Sequence, residues 1–151
     1  ANGDSIVLNV GKQTAMINGQ HTILQAAPAV VNDRTLVPIR FISEAFGATV
    51  KWDDATASAT VKADNHTLVF TKDATTYTVD GKEKQLEQAA TTINGRMMLP
   101  IRVISEDLGK NVYWEESGSG FILIHDKEIV TKGLEANIQS AINYYLNLKE
   151  D

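Results

Sequence analysis

The residues of this chain that can bind a ligand occur in matched pairs, Arg34 with Arg96 and Trp52 with Trp114. The members of each pair are 62 positions apart. An arginine guanidinium forms paired hydrogen bonds with a carboxylate or a phosphate. A tryptophan ring is large and flat, and an exposed ring can stack on a sugar. We therefore take these four residues as the candidate binding residues.

Each pair also has an interpretation that involves no ligand. Arg34 and Arg96 follow tight turns, where an arginine can anchor a turn carbonyl or hold a carboxylate of the facing helix. Trp52 and Trp114 end predicted strands, where tryptophan commonly covers the edge of the core and bonds its N–H locally. A sugar-binding surface requires both rings to be exposed and coplanar. The chain has further aromatic residues that can extend such a platform, Tyr77, Tyr113, Tyr144 and Tyr145.

No arrangement of residues indicates catalysis. Arg40 with Glu44, and Arg102 with Glu106, stand four apart, the spacing at which opposite charges pair on a helix surface. No neighbouring residue completes a catalytic group around either pair. The chain lacks a GxSxG elbow, a phosphate-binding loop and a GxGxxG motif. We predict a protein that is not an enzyme and has no cofactor.

The sequence gives no metal-binding motif. The three histidines, His21, His66 and His125, form no HxH or HExxH arrangement, so a metal site would require long-range convergence. The acidic pairs Asp53-Asp54 and Glu115-Glu116 lack the spacing of an EF-hand and are better interpreted as solvated turns than as a weak Ca²⁺ contact. Cysteine is absent, which excludes disulfides and thiolate metal sites.

The composition bounds the class of protein. With 151 residues, 43% hydrophobic and 22% charged, the chain has the composition of one ordinary soluble domain or two small fused ones. A net charge of −5 without a basic stripe argues against nucleic acid as a partner. No stretch has the roughly 20 apolar residues of a membrane span. The start Ala1-Asn2-Gly3-Asp4 is typical of a processed or engineered end, so we expect that an exported precursor was trimmed to this form.

The matched pairs belong to an internal duplication. Residues 32–52 and 94–114 align without a gap, and 11 of the 21 aligned positions are identical. The similarity extends over a first repeat, residues 5–62, and a second repeat, residues 67–125, in which Thr60-Val61 aligns with Ile122-Leu123. A unit of this size folds alone only marginally. We therefore expect the two copies to pack together or to share a sheet.

Each copy predicts the same order of elements. Strands come first, joined by the hairpin dipeptides Asn18-Gly19 and Asp80-Gly81. After a second turn and a strand, Pro38 and Pro100 are placed at the first position of a short helix, which ends at Gly47 and Gly109. Two strands finish each copy, Thr49–Trp52 with Ala59–Lys62 and Asn111–Glu115 with Phe121–His125. The predicted class is α+β, an antiparallel sheet wrapped around one short helix in each of two copies.

Residues 128–149 lie beyond the repeat. Apolar residues recur there at steps of three and four, which predicts a C-terminal amphipathic helix. This helix either caps a sheet face or the seam between the copies, or leads into a further domain or a partner.

The duplicated block resembles the copper amine oxidase N-terminal-like domain, often called a stalk domain. The matching segments are Asn32 to Trp52 and Asn94 to Trp114, with the pattern N-[DG]-R-x-x-[VL]-P-[IL]-R followed by a glycine and V-x-W. The resemblance implies an antiparallel sheet around a helix, in tandem copies. It also implies an accessory module of exported and cell-surface proteins of Gram-positive bacteria.

The resemblance does not imply copper. Amine oxidase chemistry belongs to a different domain, with three histidine ligands and a tyrosine in an Asn-Tyr-[Asp/Glu] context. Here Asn143-Tyr144 is followed by Tyr145, and the histidines lack paired spacing.

The leading hypothesis is therefore a non-catalytic extracellular or cell-surface module that tethers or positions another activity, or binds cell-wall polysaccharide. The second hypothesis is a protein-interaction or oligomerisation module. The third, a hydrolase of wall material, requires a pocket where Glu44, Glu106 or a histidine converge.

Overall fold

The computed structural model describes residues 4–114 and 120–126. The predicted helix 128–149 lies outside these residues. The described residues form two short helices, α1 (Ile39–Ala45) and α2 (Arg102–Glu106). They also form fourteen strands: β1 (Ser5–Asn9), β2 (Thr14–Ile17), β3 (Gln20–Ile23), β4 (Ala29–Val31), β5 (Arg34–Pro38), β6 (Thr49–Asp53), β7 (Ser58–Ala63), β8 (His66–Thr71), β9 (Thr76–Val79), β10 (Lys82–Gln85), β11 (Thr91–Ile93), β12 (Arg96–Pro100), β13 (Asn111–Trp114) and β14 (Phe121–His125).

The predicted α+β class is confirmed, and the turns follow the predicted chemistry. Asn18 and Gly19 have φ of 50° and 81°, and Asp80 and Gly81 have φ of 52° and 83°. Positive φ at both central residues gives a turn whose twist matches that of the flanking strands. Asn and Asp tolerate this region because their short polar side chains bond locally.

The predicted helix start is wrong at both prolines. Pro38 is the last residue of β5 and the N-cap of α1, with ψ of 110°, so the helix begins at Ile39. Pro100 ends β12, and α2 begins only at Arg102. The fixed φ of proline suits extended chain as well as a helix, and the pairing of Pro38 with Met98 holds it in the sheet. The end of α1 is as predicted, because Gly47 has left-handed φ and directly follows the C-cap Phe46. The second helix ends earlier than predicted, at Glu106 with Asp107 as its C-cap, two residues before Gly109.

The two copies exchange strands. One five-stranded sheet runs β13-β14-β1-β2-β3, and another runs β6-β7-β8-β9-β10. Each combines the last two strands of one copy with the first three of the other. The exchange follows from the connection between copies, where Asp64 and Asn65 have positive φ and turn β7 directly into β8. The copies thus share sheets as expected, and no sheet coincides with either sequence repeat.

A third sheet joins the copies at their centre, in the order β11-β12-β5-β4. Leu36, Val37 and Pro38 pair with Pro100, Leu99 and Met98. The three residues of β5 and the three of β12 are the same positions of the two copies, 62 residues apart in the sequence. The antiparallel pair β5–β12 therefore relates the copies by an approximate two-fold axis. The axis passes between Val37 and Leu99, both fully buried.

The core is continuous across both copies. The apolar face of the helices is buried at Ile39 and Ile42 in α1 and at Ile104 in α2. These side chains pack in one cluster with Leu68 and Phe70 of the second copy and with Ile6 and Leu8 of the first, among others. Because each sheet takes strands from both copies, neither copy buries its apolar face alone.

The register corrects one part of the predicted repeat alignment. Trp52 pairs with Ala59, whereas Trp114 pairs with Ile122. Ala59 therefore corresponds to Ile122, a shift of 63, and the alignment of Thr60-Val61 with Ile122-Leu123 is wrong by one residue. The connection in the second copy is one residue longer, and the fully buried Val61 corresponds to Ile124, which is also fully buried.

The β8–β9 hairpin is closed by a charged pair. The imidazole Nδ1 of His66 lies 2.6 Å from Oδ2 of Asp80, whose other oxygen accepts the backbone N–H of Thr67 at 2.8 Å. In the first copy Asn18 fills the place of Asp80 and accepts the N–H of Ser5. Hydrogen bonding to Asp80, then its charge, raises the pKa of His66, and the bonds from His66 and Thr67 lower the pKa of Asp80.

The strand exchange predicts that a single copy does not fold as a monomer. The fragment 1–64 holds β1–β7 but lacks the strands that complete either five-stranded sheet. We expect it to show no cooperative unfolding by circular dichroism, and mixing it with the fragment 65–151 is expected to restore the transition. A fragment 1–64 that sediments as a monomer and unfolds cooperatively would contradict the exchange.

The hairpin pair predicts a pH-dependent stability. The contribution of His66 is complete below its usual pKa of 6.5 and is lost as the pH rises through its raised value. The contribution of Asp80 is present above its usual pKa of 3.8 and is lost as the pH falls through its lowered value. Asp80→Asn is therefore expected to destabilise the protein more at about pH 5.5 than at about pH 8, as measured by urea unfolding. Asparagine suits the turn, as Asn18 shows, so an equal loss at both pH values would sink the idea.

Candidate functional site

Arg34 does not stand alone but shares a carboxylate with Arg102. The Nε of Arg34 lies 3.6 Å from one oxygen of Glu87, and Nη1 of Arg102 lies 2.8 Å from the other. Arg34 begins β5, Arg102 begins α2, and Glu87 lies in the connection from β10 to β11. The predicted contact with a carboxylate of the facing helix is thus replaced by one from a loop. Sequence reasoning did not identify Glu87.

The central strand pair explains why two arginines meet at this place. The register that pairs Leu36 with Pro100, extended by two positions, sets Arg34 opposite Arg102. The same register, extended from the other end of the pair, sets Arg96 opposite Arg40. The approximate two-fold axis therefore produces two arginine pairs, one at each end of the β5–β12 ladder.

Each arginine pair lines a surface groove of about 370 Å³. We call the one lined by Arg40 and Arg96 the first groove, and the one lined by Arg34 and Arg102 the second groove. The first groove also has Ile23, Gln25, Phe41 and Glu44 in its lining, and the second has Asp33, Glu87 and Pro100. The grooves are counterparts at a shift of 62, so they share one framework and differ in side chains.

The main difference is the residue at the position of Glu87. Gln25 is the counterpart of Glu87, so the first groove has a neutral amide where the second has the bridging carboxylate. Its two arginines and one glutamate give it a charge of +1, whereas the two arginines, Asp33 and Glu87 of the second groove cancel. Within residues 4–114 and 120–126, Arg96 has no carboxylate partner.

The helix-surface pairs form as predicted. The Nε of Arg40 lies 3.4 Å from Glu44, and the Nε of Arg102 lies 3.7 Å from Glu106. All four side chains are about half-exposed. Such pairs contribute about 0.2–0.5 kcal/mol each, so they orient the arginines more than they stabilise the fold. Arg40 also directs Nη2 towards the carbonyl of Val50, at 3.4 Å.

The structure places Trp52 away from both grooves, at the end of the edge strand β6. Its side chain is 42% exposed, and its Nε1 donates a 2.6 Å hydrogen bond to Asp54. Asp53 in turn accepts the backbone N–H of Ala55, which fixes the loop that carries this partner. Trp52 thus combines the predicted local N–H bond with an exposed ring. Trp114 ends β13, and its side chain lies outside the described part of the structure.

A buried polar cluster, absent from the first copy, ties α2 to the second sheet. The hydroxyl of Tyr77 donates to Asp107, and Nζ of Lys84 lies 2.6 Å from the other oxygen of the same carboxylate. The side chain of Asp107 is only 5% exposed. Burial, then the bond to Asp107, raises the pKa of Tyr77 well above its usual range. The first copy has Ala45 and Ala15 at these two places, so this cluster has no counterpart there.

No metal centre emerges within the described ranges. No group of three or more His, Asp or Glu side chains there is placed to hold an ion. No helix in the same ranges is long and apolar enough to cross a membrane.

Substitutions of the two donors to Asp107 are expected to destabilise the protein to different extents. Tyr77→Phe leaves the buried Asp107 without one donor and is expected to lower the free energy of unfolding by about 1–3 kcal/mol. Lys84→Met removes a donor that is 42% exposed and retains the apolar stem, so its cost is expected to be smaller. Urea unfolding at pH 7 measures both. A larger loss for Lys84→Met would show that the ion pair rather than the tyrosine secures α2.

Comparison with known families agrees with this geometry. The family model described as "Copper amine oxidase N-terminal domain" matches residues 1–61 and 24–123, in two overlapping ranges. A comparison with curated proteins finds no significant match. The family is one of non-catalytic N-terminal domains, and its two matched ranges agree with the tandem copies in the sequence and with the shared sheets. The chain belongs to the copper amine oxidase N-terminal domain family and contains tandem copies of its unit.

Proposed function

We propose that this chain is a non-catalytic accessory module that acts outside the cell or at the cell surface, where it positions or tethers another activity by binding a partner. The observation that carries the binding role is the arginine-lined first groove, which lies at one end of the central sheet and has a positively charged lining. The extracellular place rests on the resemblance of the repeated block to stalk domains of exported proteins.

Trp52 supports a polysaccharide as one partner. Its ring is exposed on an edge strand, and the hydrogen bond to Asp54 holds the indole without covering it. A fixed aromatic face loses little conformational entropy when a sugar stacks on it.

A protein-interaction module is the second candidate, and the first groove favours it. Ile23 is 67% exposed beside Phe41 and Arg96. Apolar side chains next to unpaired arginine are typical of protein–protein contact surfaces. Whether the partner is a second copy is tested by light scattering at increasing protein concentration.

A wall hydrolase has the least support. Glu44 lines the first groove and Glu106 lines neither groove, so these carboxylates do not converge. Both are half-exposed and paired with arginine. A glycosidase requires two carboxyl groups on either side of one bond.

The polysaccharide role predicts retention of the protein on insoluble cell-wall material from a Gram-positive bacterium. Trp52→Ala is expected to weaken retention roughly fivefold to tenfold, because it removes the stacking face. Val30→Ala is the matched control, since it removes an exposed apolar side chain that lies outside both grooves. Co-sedimentation measures the bound fraction. Equal retention of wild type and Trp52→Ala, or no retention of either, would remove the support for a sugar surface at Trp52.

A further inference from the structure

The second groove serves as a reference for the first. Its two arginines already hold a carboxylate, that of Glu87. The carboxylate of Glu87 lies between Arg34 and Arg102, at 3.6 Å from Nε of one and 2.8 Å from Nη1 of the other. Its side chain is 30% exposed, so the site is partly shielded from water. A carboxylate that accepts from two guanidinium groups forms charge-assisted hydrogen bonds, which are stronger than neutral ones.

The first groove has the same arginines without the carboxylate. Arg96 replaces Arg34, Arg40 replaces Arg102, and Gln25 stands where Glu87 stands. Arg40 directs Nε to Glu44 and Nη2 to Val50, which leaves Nη1 without a hydrogen bond among the described residues. This is the atom that Arg102 uses to bind Glu87.

Glu44 does not block the site. Its counterpart Glu106 has the same relation to Arg102, with 3.7 Å between Nε and the carboxylate, and Arg102 still binds Glu87. One helix glutamate per groove is therefore compatible with a second carboxylate. Among residues 4–114 and 120–126, none supplies a carboxylate at that second position of the first groove, and the lining keeps a charge of +1.

The side chains that line the first groove indicate which chemical groups of a ligand lie next to its carboxylate. Ile23 lines the first groove and is 67% exposed, whereas its counterpart in the second copy is the polar Gln85, which does not line the second groove. Phe41 and Met97 add to the same lining. A sugar acid presents hydroxyl groups on all sides, whereas a peptide can place an apolar side chain next to its carboxylate. The molecule's own occupant, Glu87, is a peptide glutamate that follows a leucine.

We infer that the first groove binds a glutamate-bearing, partly apolar peptide segment of a partner protein, with the carboxylate held between Arg40 and Arg96. The site extends the binding role of the proposed module. It does not depend on the polysaccharide contact at Trp52, which lies outside both grooves. An experiment can therefore refute the peptide site and leave the polysaccharide contact standing, or the reverse.

The test is an NMR titration of the ¹⁵N-labelled full chain at low salt. The probe is the acetylated and amidated tetrapeptide Gln-Leu-Glu-Gln, which copies residues 85–88. The same peptide with glutamine in place of glutamate is the matched probe. We expect the acidic peptide to shift the amides of Ile23, Gln25 and Arg96 in a saturable way, and the neutral peptide to bind about tenfold more weakly.

Three variants locate the site. Gln25→Glu supplies the carboxylate that the second groove already has, and it is expected to abolish binding of the peptide. Arg96→Gln is expected to weaken binding about tenfold, through the loss of one charged donor. Glu87→Gln vacates the second groove and is expected to add a second set of shifts around Arg34 and Arg102. The grooves are at the surface, and circular dichroism checks that each variant folds.

Several outcomes would overturn the inference. Equal binding of the acidic and neutral peptides would show that no carboxylate is recognised, and unchanged binding by Gln25→Glu would place the contact outside the first groove. Glucuronate that binds as tightly as the peptide would refute a peptide partner. None of these results bears on retention by cell-wall material, so a failure here is distinct from a failure of the polysaccharide contact.

Discussion

The antiparallel pairing of β5 with β12 is the contact on which the rest of the structure depends. Leu36 and Val37 on one strand and Met98 and Leu99 on the other are fully buried. Each such side chain contributes about 1.5–3 kcal/mol of hydrophobic stabilisation. Because this pair joins equivalent strands of the two copies, it sets the approximate two-fold axis. The same register brings the arginines together at the two ends of the ladder.

Strand exchange gives two small copies a single core. A unit of about 60 residues buries too little apolar surface for much stability. Here the last two strands of each copy extend the sheet of the other, so helices, sheets and core form together. As a consequence, the two copies present equivalent surfaces whose side chains differ. One copy holds a buried Tyr77–Asp107–Lys84 cluster where the other has alanine at two of the three places.

The same divergence shapes the grooves. One framework carries an internal carboxylate, Glu87, and the other has Gln25 at the corresponding position and lines its groove with Arg40 and Arg96. A duplicated scaffold thus holds an occupied reference site beside an open one. This is the physical basis for assigning ligand chemistry to a surface in a family whose domains are not catalytic. The exposed Trp52, whose indole N–H bonds to Asp54, lies on a different sheet edge and outside both grooves.

The sequence by itself determined what depends on local chemistry. Asn18-Gly19 and Asp80-Gly81 specify tight hairpins because few other residues adopt positive φ, and Gly47 ends α1 for the same reason. The arginine–glutamate spacing of four predicted the pairs on the helices. The duplication identified the family and led to the expectation of shared sheets.

Only the tertiary structure decided what depends on which segments meet. The repeat period indicates that two copies exist, but it does not specify whether the β6–β7 hairpin joins β1 of its own copy or β8 of the next. The two-residue turn at Asp64-Asn65 places β8 beside β7. Pro38 fits a helix start or a strand end locally, and its pairing with Met98 selects the strand. Glu87 reaches Arg34 and Arg102 from a loop 53 and 15 residues away along the chain. Contacts over such separations leave no periodic signal in the sequence, because the geometry of the sheets rather than local spacing brings the charges together.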